Sequence, residues 1–344
     1  MSDFPMQFKD CYAMTQLPYF KLDENGKPAL DIPDAPPIVD FHTHLGFFFL
    51  FASPINYQAK TPSVKHNFPM RRGAVDLSIY SGVNLTQIRR NGMFADHGRS
   101  IFTNKGPNAT FTVPNILDEM NRFNVSKAVV LAIDFAVGSN LSETYIDATQ
   151  GNERLINFCG INPFWPDIEE KVEKFVELGA RGLKVHPYAH LAGPDHPKVI
   201  RLLEAWDKTG LPVLFHTAFN GLEPGPLRKL AGMDRYEKAL SMFPGTTFIL
   251  GHAGMNDYNI ALDYADRFEN VYLEIGGHPP HHIQDMIERI GYERLLYGTD
   301  WPFYPFILPL AKVLMATDGE KEARNAILSG NGLKLIEQAE AAVK

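Results

Sequence analysis

The first strand-like segment of the chain reads Ile38-Val39-Asp40-Phe41-His42-Thr43-His44. Its apolar start predicts a buried β-strand, and its end carries two histidines separated by one residue. Side chains two residues apart on a strand project from the same face, so both imidazoles are expected to meet where the strand ends. By itself this spacing is more typical of hydrogen-bonded structural histidines than of metal ligands. The rest of the chain decides between the two interpretations.

Further apolar runs of strand length follow, and they alternate with amphipathic helical patterns. With the first run, Pro37–Thr43, the predicted strands are Lys127–Ile133, Leu155–Ile161, Arg181–Val185, Pro212–Phe215, Thr247–Leu250, Val271–Ile275 and Leu295–Tyr297. Helices are predicted at Pro114–Phe123, Leu141–Ala148, Ile168–Leu178, Val199–Lys208, Met233–Met242, Tyr258–Arg267, Ile283–Ile290 and Phe306–Met315, and a final helix near Leu333–Ala342 is expected on the outside. Because no mononucleotide fingerprint interrupts this alternation, it favours an α/β fold of the closed (β/α)8 TIM-barrel type over an open doubly wound sheet.

Length and cysteine content agree with this class. At 344 residues the chain fits one large α/β barrel, so a single domain over residues 1–344 is expected. Its two cysteines, Cys11 and Cys159, are not spaced as a zinc or redox pair, which favours a reducing compartment and predicts a cytoplasmic protein. The N-terminus does not resemble a secretory signal, and the longest bulky apolar run, Phe47–Ala52, is far shorter than the roughly 20 residues of a membrane span.

The charge distribution predicts a small-molecule partner. The net charge is -7, and basic residues cluster only in short pairs such as Arg71-Arg72 and Arg89-Arg90. A protein that binds nucleic acid through its phosphates needs a basic patch, and this chain has none in its sequence.

One segment departs from the barrel pattern. Between the first strand and the helix at Pro114–Phe123 lie about 70 residues, at about 46–113, where a barrel normally has a short loop. This insertion leaves the C-terminal end of a barrel strand, so it is expected at the barrel mouth, where TIM-barrel active sites lie, and it would distort the barrel. Its aromatic and basic residues suit a lid or substrate pocket and equally well a dimer interface.

Histidines and an aspartate recur at the ends of the later strands. His186 closes the fourth, His216 the fifth and His252 the sixth, and Asp300 follows the eighth. Unrelated structural histidines have no reason to recur there together with the pair that ends the first strand. Divalent ions such as zinc bind imidazole nitrogen and carboxylate oxygen, and a catalytic site leaves one position open for water. The joint pattern therefore predicts a metal centre, most simply zinc, at the barrel mouth.

These residues lie in motifs that resemble the amidohydrolase-related family of the amidohydrolase superfamily. The motifs, in the order of the family, are Asp40-Phe41-His42-Thr43-His44, Gly182-Leu183-Lys184-Val185-His186-Pro187, Phe215-His216-Thr217, Leu250-Gly251-His252-Ala253-Gly254 and Tyr297-Gly298-Thr299-Asp300-Trp301-Pro302. The resemblance extends from Pro37 to Gly330-Asn331-Gly332-Leu333 and leaves out the insertion.

The resemblance implies a role for each strand-end residue. His42, His44, His216 and Asp300 would be ligands of one metal ion, commonly zinc, and His252 would be a catalytic acid/base or a partner of the metal-bound water. A metal lowers the pKa of bound water towards roughly 7. Asp300 would take a proton from that water and pass it to the leaving group.

Several roles are consistent with Lys184 and His186. Their segment resembles superfamily members in which the lysine is carboxylated and bridges two metal ions, which would add a second ion. An unmodified Lys184 would instead anchor a substrate carboxylate, pair with Asp300, or have only a structural role. His186 would face the same mouth and contact the substrate or a second ion.

Three further features of the sequence are predicted to lie near the mouth. Glu274, inside the seventh strand, is predicted to orient a ligating imidazole. The histidines of His278-Pro279-Pro280-His281-His282 either contact the pocket or are solvated at a helix start, and Trp301 is expected at the pocket rim.

The resemblance and the proposed metal favour a hydrolase. It would cleave a C–N or C–O bond, in an amide, lactone or related ester of a small organic substrate, through a metal-activated water. The arginines of the insertion favour an anionic substrate. The alternative is a non-oxidative, metal-dependent decarboxylase of a small aromatic or unsaturated carboxylic acid, against which the Lys-x-His-Pro segment and Phe215-His216-Thr217 argue. A metal-binding barrel without turnover is disfavoured by the acid/base groups around the metal. A homo-oligomer, dimer or higher, is also expected from the resemblance.

Overall fold

A computed structural model of the chain describes residues 4–47, 55–86, 106–135, 140–217, 219 and 225–343. It contains an eight-stranded sheet in which each strand pairs in parallel with its neighbours in the chain. The strands are β1 (Ile38–Thr43), β2 (Val125–Leu131), β3 (Leu155–Gly160), β4 (Gly182–Val185), β5 (Val213–His216), β6 (Phe248–Gly251), β7 (Val271–Glu274) and β8 (Leu295–Leu296). All eight predicted strands are confirmed.

Backbone hydrogen bonds between β1 and the segment that follows β8 close this sheet. The Phe41 N–H donates to the Tyr297 carbonyl at 2.8 Å, and the Asp300 N–H donates to the His42 carbonyl at 2.7 Å. Closure removes the two exposed edges that an open sheet would leave. The predicted (β/α)8 TIM barrel is confirmed.

Helices cover the outer wall between successive strands. The longer ones are Val113–Arg122, Leu141–Thr149, Ile168–Glu177, Pro197–Asp207, Glu237–Met242, Tyr258–Arg267, Pro280–Ile290 and Ile307–Ala316, and the shorter ones Pro187–His190 and Lys321–Asn325. In the third of the longer helices, Ile168, Val172 and Phe175 are buried at helical spacing, and Glu169 and Glu170 lie in its first turn, where negative charge favours the helix dipole. None of the described helices is long and apolar enough to cross a membrane.

A separate apolar cluster fills the inside of the barrel below the mouth. Its members include Val39 and Phe41 of β1. Leu335 and Ile336 of the C-terminal helix Asn331–Ala342 belong to the same cluster. The expectation that this helix packs on the outside is therefore wrong, because it lies across the N-terminal end of the barrel and closes it.

The chain before β1 pairs with itself and with the insertion. Phe20–Leu22 and Pro28–Leu30 form an antiparallel hairpin, and Gln7–Phe8 pairs with Val75–Asp76 of the insertion. The sequence patterns did not reveal these short strands, since two or three residues are too few to show an alternation.

Part of the insertion lies beside the loop that follows β8. The Asn67 N–H donates to the Pro302 carbonyl at 3.2 Å, and the Phe68 N–H donates to the Phe303 carbonyl at 2.8 Å. This segment is therefore near the end of β8, as predicted for the barrel mouth. Residues 48–54 and 87–105, which include Arg89-Arg90 and most of the run Phe47–Ala52, lie outside the described residues.

The buried carboxylate of Asp40 joins β1 to the segment after β8. Its Oδ1 accepts hydrogen bonds from the His42 N–H and the Thr299 N–H, both at 3.0 Å, and its Oδ2 accepts one from the Thr299 hydroxyl at 2.6 Å. Burial raises the pKa of Asp40 to about 8, and these hydrogen bonds oppose the rise. Asp40 thus stabilises the contact that closes the barrel.

We expect Asp40→Ala to lower the free energy of unfolding by about 2–4 kcal/mol, because three donors in the barrel wall lose their acceptor. Urea unfolding followed by circular dichroism measures the change. Asp31→Ala is the matched control, since this aspartate forms an exposed ion pair with Lys21, and it should have far less effect. Equal effects of the two substitutions would contradict the closing role of Asp40.

Candidate metal centre

An extra residue in β1 turns its two histidines into the barrel mouth. Between Asp40 and Thr43, β1 advances from position 40 to 43 while its partner β2 advances only from 128 to 130. Such a β-bulge interrupts the alternation of side chains and re-aims the residues that follow it. Phe41 lies in the inner apolar cluster, and His42, the next residue, still faces inward. The bulge therefore lets β1 supply both the packed interior and the polar mouth.

Hydrogen bonds at Nδ1 orient both imidazoles of β1. His42 Nδ1 lies 2.6 Å from Glu274 Oε2, and His44 Nδ1 lies 2.8 Å from the Leu131 carbonyl oxygen. Because a carboxylate and a carbonyl accept hydrogen bonds, each Nδ1 carries the proton and each Nε2 carries a lone pair. Those Nε2 atoms lie 3.9 and 3.4 Å, respectively, from Asp300 Oδ1. Orientation of this kind is characteristic of metal-ligating histidines.

His252 completes a compact group with two of these residues. The donor atoms of His42, His252 and Asp300 lie within 4.8 Å of one another, and the imidazoles of His42 and His252 stack at 4.4 Å. Two residues of this group, His252 and Asp300, have a left-handed backbone conformation, with φ of 62° and 58°. Non-glycine residues adopt this conformation at a cost, and they do so most often at functional sites.

His216 lies on the other side of His252. Its ring centroid is 5.1 Å from that of His252 and 4.2 Å from that of His186, on which it stacks. His216 Nε2 is buried and has no hydrogen-bond partner among the described residues. An unsatisfied imidazole nitrogen inside a polar cluster fits a divalent metal ion, which would accept its lone pair. His216 Nε2 is therefore available to a metal ion, whereas the donor atoms that lie within 4.8 Å of one another are those of His42, His252 and Asp300.

Lys184 is a buried cation at the same centre. Its Nζ lies 3.3 Å from His42 Nε2 and donates to that lone pair. Burial lowers the pKa of Lys184 to about 7, and the negative charges of Asp300 and Glu274 oppose this. No carboxylate of the described residues forms an ion pair with it within 4.0 Å. A close Lys184–Asp300 pair is thus not formed in this structure.

Burial also controls the charge of the imidazoles. It lowers the pKa of His42 and of His216 well below the ordinary value, and it lowers the pKa of His252 to about 3. These histidines are therefore neutral near pH 7. Neutral imidazole is the form that binds a metal ion.

The remaining predicted residues lie close by. Glu274, predicted to orient an imidazole, has that contact with His42, and it also accepts a hydrogen bond from the His252 N–H at 3.0 Å. His278 is buried and its Nε2 lies 2.8 Å from the His252 carbonyl oxygen, so it is not solvated. Trp301 is fully buried, and its Nε1 donates to Glu119 Oε2 at 3.2 Å.

Sequence reasoning missed two residues that shape this centre, Asp40 and Gly298. Gly298 precedes Thr299 in the segment after β8. A Cβ atom added at Gly298 would overlap Glu274 Oε1 and lie 2.8 Å from His42 Cβ. Both residues stand inside quoted motifs, yet nothing in their local sequence indicates which distant side chains they contact.

We expect Gly298→Ala to reduce the metal bound per chain and to destabilise the fold, because the new methyl group displaces the Glu274 carboxylate that orients His42. Elemental mass spectrometry and thermal unfolding measure the two effects. Gly245→Ala is the control, since an added Cβ there meets nothing within 4 Å. A Gly298→Ala protein with full metal content would contradict this role of the Glu274–His42 pair.

Comparison with known proteins identifies solved structures of similar fold and a matching family. In overall fold the chain is similar to an uncharacterised TIM-barrel protein from Bordetella bronchiseptica (18% identity, TM-score 0.62, covering 88% of this chain and 99% of that one). It is similar to a probable 2-pyrone-4,6-dicarboxylic acid hydrolase from Acinetobacter baumannii (14%, 0.53, 88% and 100%). A 5-carboxyvanillate decarboxylase from Novosphingobium aromaticivorans with bound manganese is a third relative (14%, 0.57, 87% and 97%).

At these identities the solved structures establish the fold alone. No functionally curated protein matches the chain in sequence. The sequence model of the amidohydrolase family matches residues 103–337, which is more than half of the chain and includes His186, His216, His252 and Asp300. The chain belongs to the amidohydrolase family.

Proposed function

We propose that this protein is a metal-dependent hydrolase that cleaves a C–N or C–O bond, in an amide, lactone or related ester, of a small substrate carrying a carboxylate. The observation that carries the proposal is the convergence of two pre-oriented Nε2 lone pairs, from His42 and His44, on the carboxylate of Asp300. Family membership supports an enzyme of this general kind.

The proposed ligands of the metal are His42, His44, His216 and Asp300. Three imidazoles and one carboxylate suit zinc, and manganese is the alternative to test because a relative contains it. When bound, a divalent ion polarises the scissile bond and lowers the pKa of a coordinated water. The neutral histidines hold their lone pairs ready for this role because Glu274 and the Leu131 carbonyl bind their opposite nitrogens.

Asp300 and His252 are the proposed acid/base groups. The Asp300 side chain is partly exposed at the mouth, whereas His42 and His44 are almost fully buried, so Asp300 is the carboxylate that an attacking water can reach. It would accept the proton of that water and return it to the leaving group. His252 lies beside it and would hydrogen-bond the oxygen on which negative charge develops.

Removal of the metal tests the centre directly. We expect dialysis against a chelator to abolish turnover and one equivalent of zinc to restore it, because the proposal assigns all four ligands to a single ion. Elemental analysis of the purified protein should find one metal per chain. Two equivalents would instead support a carboxylated Lys184 bridging two ions, with His186 at the second, and no metal at all would contradict the proposal.

The substrate carboxylate is inferred from Lys184. His42 Nε2 has one lone pair, and Lys184 uses it in this structure. A metal on that nitrogen would take the lone pair and leave the buried, protonated Lys184 amine without an acceptor among the described residues, which is costly. An anionic group of the substrate would supply the missing acceptor.

We expect Lys184→Met to raise KM for carboxylate-bearing substrates about 10- to 100-fold while the metal content stays at one per chain, because about 1.5–3 kcal/mol of a charge-assisted hydrogen bond is lost. Steady-state kinetics on acids and their neutral amides measures the difference. Lys174→Met is the control, since Lys174 pairs with Glu143 at the surface. An equal rise in KM for acids and amides would exclude the carboxylate contact.

Decarboxylation of a small aromatic or unsaturated acid is the second candidate. The rings of Phe47 and Phe303 stack at 6.1 Å, and the Phe303 ring lies 6.2 Å from that of His44, so a flat apolar surface adjoins the centre. Together with Lys184 this surface suits a planar carboxylate. A panel of aromatic acids, lactones and amides separates the two reactions, because stoichiometric release of carbon dioxide would overturn the hydrolase proposal.

A further inference from the structure

The turn that carries His252 has an unusual backbone. Four consecutive residues after β6 adopt positive φ: His252 (62°), Ala253 (41°), Gly254 (77°) and Met255 (49°). Only one of them is glycine, and positive φ is unfavourable for the other three residues. A run of this kind persists only where the surrounding structure holds it.

Three side chains from β5 and β7 and their following loops hold this turn. Glu274 Oε2 accepts from the His252 N–H at 3.0 Å. The Thr217 hydroxyl donates to the Gly251 carbonyl at 2.6 Å and accepts from the Gly254 N–H at 2.9 Å. His278 Nε2 lies 2.8 Å from the His252 carbonyl oxygen. The peptide groups on both sides of His252 are thus bound by side chains.

The tautomer of His278 follows from its partners. A carbonyl oxygen can only accept, so His278 Nε2 carries the proton and Nδ1 carries the lone pair. His282 Nδ1 lies 3.3 Å from His278 Nδ1 and donates a hydrogen bond to its lone pair. His278 is fully buried, so this orientation is protected from water.

The loop of His278 is itself anchored. Lys312, a buried lysine of the helix Ile307–Ala316, donates to the Gly277 carbonyl at 2.9 Å. It also donates to the Ser81 hydroxyl at 2.9 Å and to the Ile79 carbonyl at 2.7 Å, both in the insertion. With three acceptors around one ammonium group, the peptide that precedes His278 has a defined position.

We propose that His278 is a positioning residue for His252. Its Nε2–H fixes the His252 carbonyl, holds the left-handed turn, and thereby places the imidazole beside His42 and Asp300. His278 is a cleaner probe than Glu274, because the Glu274 side chain also binds His42, whereas the side-chain hydrogen bonds of His278 in the described part of the chain go to the His252 backbone and His282. The catalytic consequence rests on the proposed function, but the positioning of the turn does not.

Three variants of the full-length metal-loaded protein test the proposal. His278→Leu removes the donor, and His278→Gln keeps an N–H group at a similar distance from the backbone. His281→Gln is the control, since His281 is exposed in the first turn of the helix Pro280–Ile290, which follows the loop of His278. The measurements are metal content, kcat and KM for a substrate found in the panel above, and hydrogen–deuterium exchange of the peptide 250–257 by mass spectrometry.

We expect His278→Leu to lower kcat about 10- to 100-fold with little change in KM, since a small misplacement of a catalytic group has effects of this size. Metal content should stay at the wild-type level, and exchange should accelerate in 250–257 and not in the peptides of the outer helices. His278→Gln should restore most of the kcat and most of the protection from exchange, and His281→Gln should resemble the wild type.

Two results would overturn the positioning role: wild-type kcat and exchange in His278→Leu, or equal losses in His278→Leu and His278→Gln. Loss of metal or global unfolding in both variants would also overturn it, because the effect would then not be confined to the turn. If no substrate of the panel is turned over, the proposed function fails, and the exchange of 250–257 with its rescue by glutamine decides the positioning proposal alone.

Discussion

The mouth of this barrel is organised around one buried carboxylate, that of Glu274 at the end of β7. Its Oε2 binds the ring of His42 from β1 and the backbone N–H of His252 after β6, so it holds two strand ends that are far apart in the chain. The Gly298 backbone approaches it closely enough that no side chain fits between them. Because a buried anion requires donors on several sides, the positions of these elements are interdependent.

Two other buried side chains at the mouth, like Glu274, form hydrogen bonds that join separate elements of the barrel. Asp40 links β1 to Thr299 after β8, and His278 binds the carbonyl of His252. The buried Lys184 lies among these acidic groups, and His216 Nε2 has no hydrogen-bond partner in the part of the chain that the structure describes. Hydrogen bonds thus fix the polar groups of the centre before any substrate binds, an arrangement that favours electrostatic preorganisation.

Much of the barrel could be predicted because strands and helices have short-range periodicities. All eight strands and the position of His42, His44, His216, His252 and Asp300 at strand ends follow from apolar runs and spacing alone. The contact of Glu274 with one of the predicted ligand histidines, His42, was also predicted and is present. The β-bulge, the burial of His278 and the place of the C-terminal helix were not predicted. The bulge is a local irregularity with no compositional signal, and the other two depend on contacts with other elements of the barrel.

The sequence by itself determined the barrel, the family resemblance and the residue types at the centre, because these depend on local patterns of polarity and on chemistry fixed by side-chain identity. Only the tertiary structure decided which nitrogen of each imidazole faces the centre, that Lys184 shares the lone pair of His42, and that the His252 turn is left-handed. Tautomers, shared lone pairs and strained turns are properties of contacts between distant segments. They exist only once the chain has folded.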